Sequence, residues 1–315
     1  MKKIDVIALG ELLIDFTENG LSESGNPILE ANPGGAPCNV LAMLQNLDKK
    51  TAFIGKVGKD AFGEYLATTV KDIGIDTTNL VFDNDIPTTL AFVHTAPDGD
   101  RSFSFYRNPG ADMMLKESDI DYSLIDEAKI FHFGTLSMTH EGVCEATKKA
   151  VAHAKEKGLL ISFDPNYRPL LWDTPEHAKE MMKYGFSQCD ILKISDDEIT
   201  FVTGKDTVEE AIPEFLKQYK PTLMCVTLGK EGSIAIYEDK MVKCGAVLRK
   251  DTIETTGAGD TFMACTLNYV LEHGLKDLTE DMLLSMQQFA GAAASLITTR
   301  KGALKVMPKK DEILI

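Results

Sequence analysis

From residue 130 onward the chain alternates short apolar runs with longer segments of helical spacing, and that order leaves few folds open. The runs 130–133, 159–163 and 191–194 have strand length, and helical stretches from about 141 to 157 and 175 to 185 separate them. Strands joined through helices pair in parallel by right-handed crossovers, which predicts an α/β fold with a mostly parallel sheet. The opening run Ile4-Asp5-Val6-Ile7-Ala8-Leu9-Gly10 reads as one more buried strand, ended by glycine. Ligands in open α/β sheets gather beyond the carboxyl ends of the strands. Asp15, shortly after the first strand, is therefore a candidate for bonding a polar substrate, with a solvated turn carboxylate as the plainer reading.

With 315 residues, 44% hydrophobic and 26% charged, the chain has room for one large α/β domain and a small appendage. A formal charge of −15 argues against nucleic acid, because phosphate backbones demand a cationic footprint. Any phosphate site must then be local. No apolar stretch reaches membrane-spanning length, and Met1-Lys2-Lys3 runs directly into the first strand, so a cytosolic protein is expected. The cysteines at 38, 144, 189, 225, 244 and 265 form no Cys-x-x-Cys pair and read as reduced, mostly buried thiols.

One stretch carries chemistry as well as shape. Thr255-Thr256-Gly257-Ala258-Gly259-Asp260-Thr261-Phe262 follows the alternating run 241–247 and leads into 261–273, an apolar segment too long for a strand. Gly274 closes it where a helix C-cap is expected. Gly257 and Gly259 lack a Cβ, so a ligand can approach N–H groups at a helix start, and the helix dipole adds to their pull on negative oxygen. A carboxylate at the mouth of such a cradle, Asp260, repels phosphate. It suits a base that takes the proton of an attacking hydroxyl while the amides neutralise the phosphoryl group. That predicts phosphoryl transfer. The same residues also fit an ordinary helix start with Asp260 as its cap.

Other segments prepare a site around this turn. Asn32-Pro33-Gly34-Gly35-Ala36-Pro37-Cys38-Asn39 precedes helical spacing at Val40, Leu41, Leu44 and Leu47. It reads as a tight loop with proline in the first helical turn, or as bare backbone at Gly34 and Gly35 that admits a ligand beside the Asn39 amide. Between 88 and 107 two period-two runs, 90–94 and 101–107, flank Pro97-Asp98-Gly99-Asp100 and predict a hairpin. Phe103, Phe105 and Arg107 then share one face, and so small an element must use an apolar face to cover something. Lys56 and Lys59 read as solvated turn lysines. Arg168 is either in an ordinary loop salt bridge or a fork of donors for hydroxyls or phosphate. Ser195 and Glu198 have the spacing of a capping box. Residues 223–226 read as a buried strand with Thr227-Leu228-Gly229-Lys230-Glu231-Gly232-Ser233 as the turn after it.

These motifs, in this order over residues 4–312, resemble the ribokinase-like (PfkB) carbohydrate kinases. The runs 105–113 and 163–172 are similar to those of fructokinases in particular. The resemblance implies one α/β domain over 1–315, a three-layer sandwich with a mostly parallel central sheet and a small β-sheet lid from about 12–33 and 86–108. It implies Asp260 as base, with the N–H groups of Gly257, Ala258 and Gly259 on the transferring phosphoryl. Asp15, Gly34, Gly35, Asn39, Ala91, Phe103, Phe105, Arg107, Asn166 and Arg168 would meet the sugar. Lys193, Ser195, Thr227, Gly229, Gly232 and Gly259 would meet ATP, and Glu198 would hold Mg²⁺ through water. A monovalent cation, K⁺ in related kinases, would lie near Glu254, Thr256, Ile297, Arg300 and Gly302. Three departures stand out: Glu254 where the family begins its signature with Asp, Ser195 where it has Asn, and Val306 where some members supply a serine. The reaction implied is ATP-dependent phosphorylation of the 6-hydroxyl of D-fructose. Ketodeoxygluconate or ribose as acceptor, or a binding protein without catalysis, are the alternatives, and a homodimer through the lid is a further expectation.

Overall fold

The computed structural model describes residues 2–95 and 101–314, and of residues 94, 95 and 101–103 the backbone alone. The chain begins with β1 (Ile4–Leu9), β2 (Leu13–Leu21), β3 (Pro27–Gly34), α1 (Ala36–Asn46), β4 (Thr51–Gly58), α2 (Ala61–Ile73), β5 (Asp76–Asp83), β6 (Leu90–Thr95) and β7 (Arg101–Tyr106). Strict alternation follows through α3 (Tyr122–Asp126), β8 (Ala128–Gly134), α4 (Glu141–Glu156), β9 (Leu160–Asp164), α5 (Pro175–Gln188), β10 (Ile191–Ser195), α6 (Asp196–Thr203), α7 (Val208–Gln218) and β11 (Leu223–Thr227). The hairpin of β12 (Ser233–Tyr237) and β13 (Lys240–Cys244) and the helices α8 (Ala258–His273) and α9 (Glu280–Ile297) close it.

Nine strands pair in the order β13-β12-β11-β10-β9-β8-β1-β4-β5. Every junction from β11 to β5 is parallel, and only β12 and β13 run antiparallel, because a short hairpin joins them. In β1, Val6 and Ala8 pack on one face with α1, α2, α8 and α9, whereas Ile7 and Leu9 pack on the other with α3 to α7. Both faces are thus covered, which is why the strand reads as a continuous apolar run. Each wholly buried Phe or Leu in these layers contributes about 1.5–3 kcal/mol relative to exposure. The result is the expected three-layer sandwich.

A second sheet stands over the carboxyl edge of the first. Its order is β3-β2-β6-β7, with β2 and β6 parallel and the other two junctions antiparallel. The hairpin of β6 and β7 forms as read, although the turn at 97–100 lies outside the described residues. In register, Asn32, Asp15, Ala91 and Phe105 make a row across the four strands on one face. Phe16 and Phe92 lie on the other face, stacked at 4.9 Å, with Phe62 of α2 edge-on to Phe16 at 5.6 Å.

Several local expectations shift. The helix after the signature turn begins at Ala258 rather than 261, and the strand before it ends at Cys244, leaving 245–257 without regular structure. Lys56, read as solvated, lies in fully buried β4, and its ammonium is 2.6 Å from Asp119 and donates to the Met114 carbonyl. A lysine there escapes the cost of burial because its charge is paired.

Candidate active site

Two helix N-termini and several strand ends converge beneath the second sheet. The cleft between them has a volume of about 510 Å³ and is lined on one side by Asp15, Asn32 and Phe105, on the other by Asn166, Lys193, Gly257, Gly259 and Asp260.

Asp260 sits in the first turn of α8 with its carboxylate fixed by two amides from different parts of the chain. Asn39 of α1 donates to Oδ2 at 2.8 Å, and Asn166, after β9, donates to Oδ1 at 3.1 Å. Asn166 itself takes a left-handed φ of 45°, which asparagine tolerates, and its N–H donates to Asp164. Asn39 and Asn166, expected at the sugar, therefore also orient the carboxylate. Burial holds the Asp260 carboxyl above its ordinary range, while Asn39, Lys193, Arg168 and Asn166 pull it back. Burial likewise pushes Asp15 up to about 7, against the pull of Arg168 and with the help of Glu254 and Asp260.

Gly257 precedes α8 with φ of 78°, and a Cβ there would stand 2.9 Å from the Ala303 Cβ. Glycine is required on both counts. The N–H groups of Gly257, Gly259 and Asp260 have no acceptor among the described residues and remain for a ligand. Ala258 differs from expectation, since its N–H donates back to the Thr255 carbonyl at 3.2 Å. It does so because the turn into the helix closes one residue early. The cradle therefore rests on the amides on either side of it.

Lys193, at the end of β10, reaches over this cradle: a Cβ on Gly259 would lie 3.0 Å from its Nζ. Its ammonium is 3.2 and 3.1 Å from the two oxygens of Asp164, a residue that sequence reading passed over. Nearby carboxylates raise the Lys193 ammonium, so it stays charged although buried. Ser195 and Glu198 form the expected capping box at α6. Both Glu198 oxygens are engaged, one by the Tyr167 N–H at 2.7 Å and one by the Ser195 N–H at 2.8 Å. A carboxylate so held fits a metal through intervening water better than by direct ligation, because each oxygen keeps only part of its acceptor capacity.

The remaining predicted residues divide. Gly35 and Arg168 line the cleft, Gly34 ends β3 beside Asp15, and Ala91 is wholly buried in the row between Asp15 and Phe105. The side chain of Phe103 lies outside the described residues. Arg107 is a correction: it does not face the cleft. Strand β7 ends at Tyr106, so period two does not carry to the next residue, and the guanidinium turns inward onto Asp112 at 2.8 Å, Thr139 at 2.8 Å and the Leu136 carbonyl at 3.0 Å. Thr227 pairs with Ser195 in register at the sheet edge, while Gly229 and Gly232 stand outside this cleft. Thr256 lines the cleft, and Glu254 accepts from the Gly302 N–H at 2.8 Å. Ile297 is wholly buried and the Arg300 guanidinium is turned onto Val306 and Glu312. Glu11 was missed as well. It is buried, accepts the Ala36 N–H at 2.8 Å, and no spacing within the sequence announces it.

Comparison with known proteins agrees with this geometry. The model of the pfkB family carbohydrate kinases matches residues 3–310. Fructokinase-1 of Zea mays is 39% identical over 315 residues, covering 98% of this chain and 96% of the relative. A fructokinase from Xylella fastidiosa with bound ATP superposes with a TM-score of 0.90 at 30% identity, over 99% of this chain and 97% of that one. A fructokinase from Vibrio cholerae O395, in a form with fructose, ADP and calcium bound, does so with a TM-score of 0.87 at 29% identity, over 98% and 97%. With its signature turn, its free amides and its fixed carboxylate in one cleft, the chain belongs to the pfkB family of carbohydrate kinases.

Proposed function

We propose that the protein transfers the γ-phosphoryl group of ATP to the 6-hydroxyl of D-fructose. The observation that carries this reading is the Asp260 carboxylate, fixed by Asn39 and Asn166, at the mouth of the unbonded amides that open α8. Asp260 accepts the hydroxyl proton as the sugar oxygen forms its bond to phosphorus and the bond to the ADP oxygen breaks. The Gly257 and Gly259 amides and the Lys193 ammonium carry the charge on the phosphoryl oxygens. Mg²⁺, held through water by Glu198, would neutralise charge on the nucleotide phosphates. The row Asn32, Asp15, Ala91 and Phe105 offers polar partners for hydroxyls beside an apolar wall, and the sheet that bears it would exclude water. Arg168 at the cleft edge supports a second reading, in which it takes the carboxylate of ketodeoxygluconate.

The lid exposes Leu21, Ile28, Leu29 and Tyr106, an apolar fringe that supports pairing of two chains through it. Six cysteines without a disulfide among the described residues support a cytosolic setting, and no described helix is long and apolar enough to cross a membrane.

ADP release measured over a sugar panel tests the substrate. The strongest signal is expected with fructose. Turnover of ketodeoxygluconate alone would replace the acceptor and keep the chemistry, and no turnover with any sugar would leave a binding protein. A pH profile gives a second test. Asp260 acts only when ionised, and its folded pKa is raised, so kcat/KM should fall with decreasing pH through an apparent pKa clearly above the ordinary aspartate value of about 4. Asp15→Asn removes a negative neighbour and should move that limb to lower pH. A wild-type limb near 4 would contradict the environment described.

A further inference from the structure

The chain passes four times between the large sheet and the lid: before β2, after β3, before β6 and after β7. One buried carboxylate stands at each pair of crossings. Glu11, just before β2, accepts the N–H of Ala36, just after β3, at 2.8 Å. Asp112 takes the Thr89 hydroxyl, just before β6, at 2.5 Å on one oxygen, and the Arg107 Nε, just after β7, at 2.8 Å on the other. All four side chains, Glu11, Thr89, Arg107 and Asp112, are at most 7% exposed. The two clasps also sense one another, since Asp112 raises and Arg107 lowers the Glu11 carboxyl. Arg107 is further tied to the carbonyl of Leu136, whose residue lines the cleft.

We propose that Glu11 and Asp112 are positioning residues that clasp the four crossings into one pivot and so set the angle at which the lid meets the bound sugar. Neither needs to touch substrate. Their effect comes through Asp15 and Phe105, which the lid carries, and through the exclusion of water from the phosphoryl group. The inference rests on the kinase reading for its kinetic consequence, but not for its structural one. It also explains why an Arg-Asn-Pro run and its Asp112 lie together in this chain: they close the second pair of crossings.

The test compares wild type with Asp112→Asn and Glu11→Ala in two measurements. Hydrogen exchange of the unliganded protein should show the amides of β2 and β6 exchanging several-fold faster in each variant, with β8 to β10 unchanged. Steady-state assays should show the KM for fructose rising about tenfold and the ATP hydrolysed per sugar phosphorylated rising, as expected when a reacting group is displaced by a fraction of an ångström. Glu11→Gln, which keeps an oxygen for the Ala36 N–H, should restore most of what Glu11→Ala loses. If Asp112→Asn does not fold, Thr89→Val keeps the ion pair and should give the same changes at smaller size. Unchanged lid exchange, exchange raised equally throughout the large sheet, or an unchanged ratio of hydrolysis to transfer would each overturn the clasp. A wild type inactive on every sugar would sink the kinase reading alone, with hydrogen exchange still deciding this one.

Discussion

Asp260→Asn is expected to lower kcat for fructose phosphorylation by a factor of about 10²–10⁴, the range over which a positioned base contributes. The substitution keeps the volume and the helix start but removes the acceptor of the hydroxyl proton. It also disturbs the support, because both neighbours present amide N–H groups to the carboxylate. An asparagine can offer its oxygen to only one of them, and its own NH₂ then meets a donor. Fructose affinity, read by calorimetry, should change far less than kcat, because the sugar's other partners on the lid are untouched. The two measurements together separate a lost base from a lost pocket. Residual activity within tenfold of wild type would show that the proton leaves by another route and would remove the central role given to Asp260.

Legibility in the sequence followed the range of the interactions concerned. β1 was readable to its ends because a strand buried on both faces is a continuous apolar run, and its limits are set by local composition. α8 and α9 were found but begun late. Gly257 and Gly259 are poor helix formers, and α9 starts on the polar turn Thr279-Glu280-Asp281, where a cap carries the signal rather than hydrophobicity. Asp260 and its glycines were visible because the cradle and the base are contiguous. Glu11, Asp112 and Asp164 were not. Each acts on a partner brought to it by the fold, such as Ala36 after a whole β-hairpin or Lys193 from the neighbouring strand. Arg107 shows the opposite failure. Alternation placed it with Phe105, but alternation holds only while the strand lasts, and β7 stops one residue short of it.

Lys193→Met should act on both function and stability, and the pH dependence distinguishes the two. With the ammonium gone, the cradle loses the one cation standing over Gly259, and kcat/KM for ATP is expected to fall about 10²–10³-fold, as when a preorganised donor is removed from a transition state. Asp164 is left buried without its partner, a change that costs about 3–5 kcal/mol when the charge must stay. It need not stay. Burial already raises the Asp164 carboxyl in the wild type despite the ammonium, so without Lys193 it rises further and takes up a proton. The unfolded chain ionises Asp164 at the ordinary aspartate value. Between that value and the raised one the folded variant holds a proton the unfolded chain lacks, so its stability must fall as pH rises. The deficit relative to wild type should therefore be small near the ordinary aspartate range and widen toward neutral pH, as read from denaturant midpoints across that window. Adding Asp164→Asn should recover the midpoint at neutral pH and flatten the dependence, yet leave kcat/KM for ATP low. Recovery of activity along with stability would mean that Lys193 serves only to neutralise Asp164, and the charge over the phosphoryl site would have to be sought elsewhere.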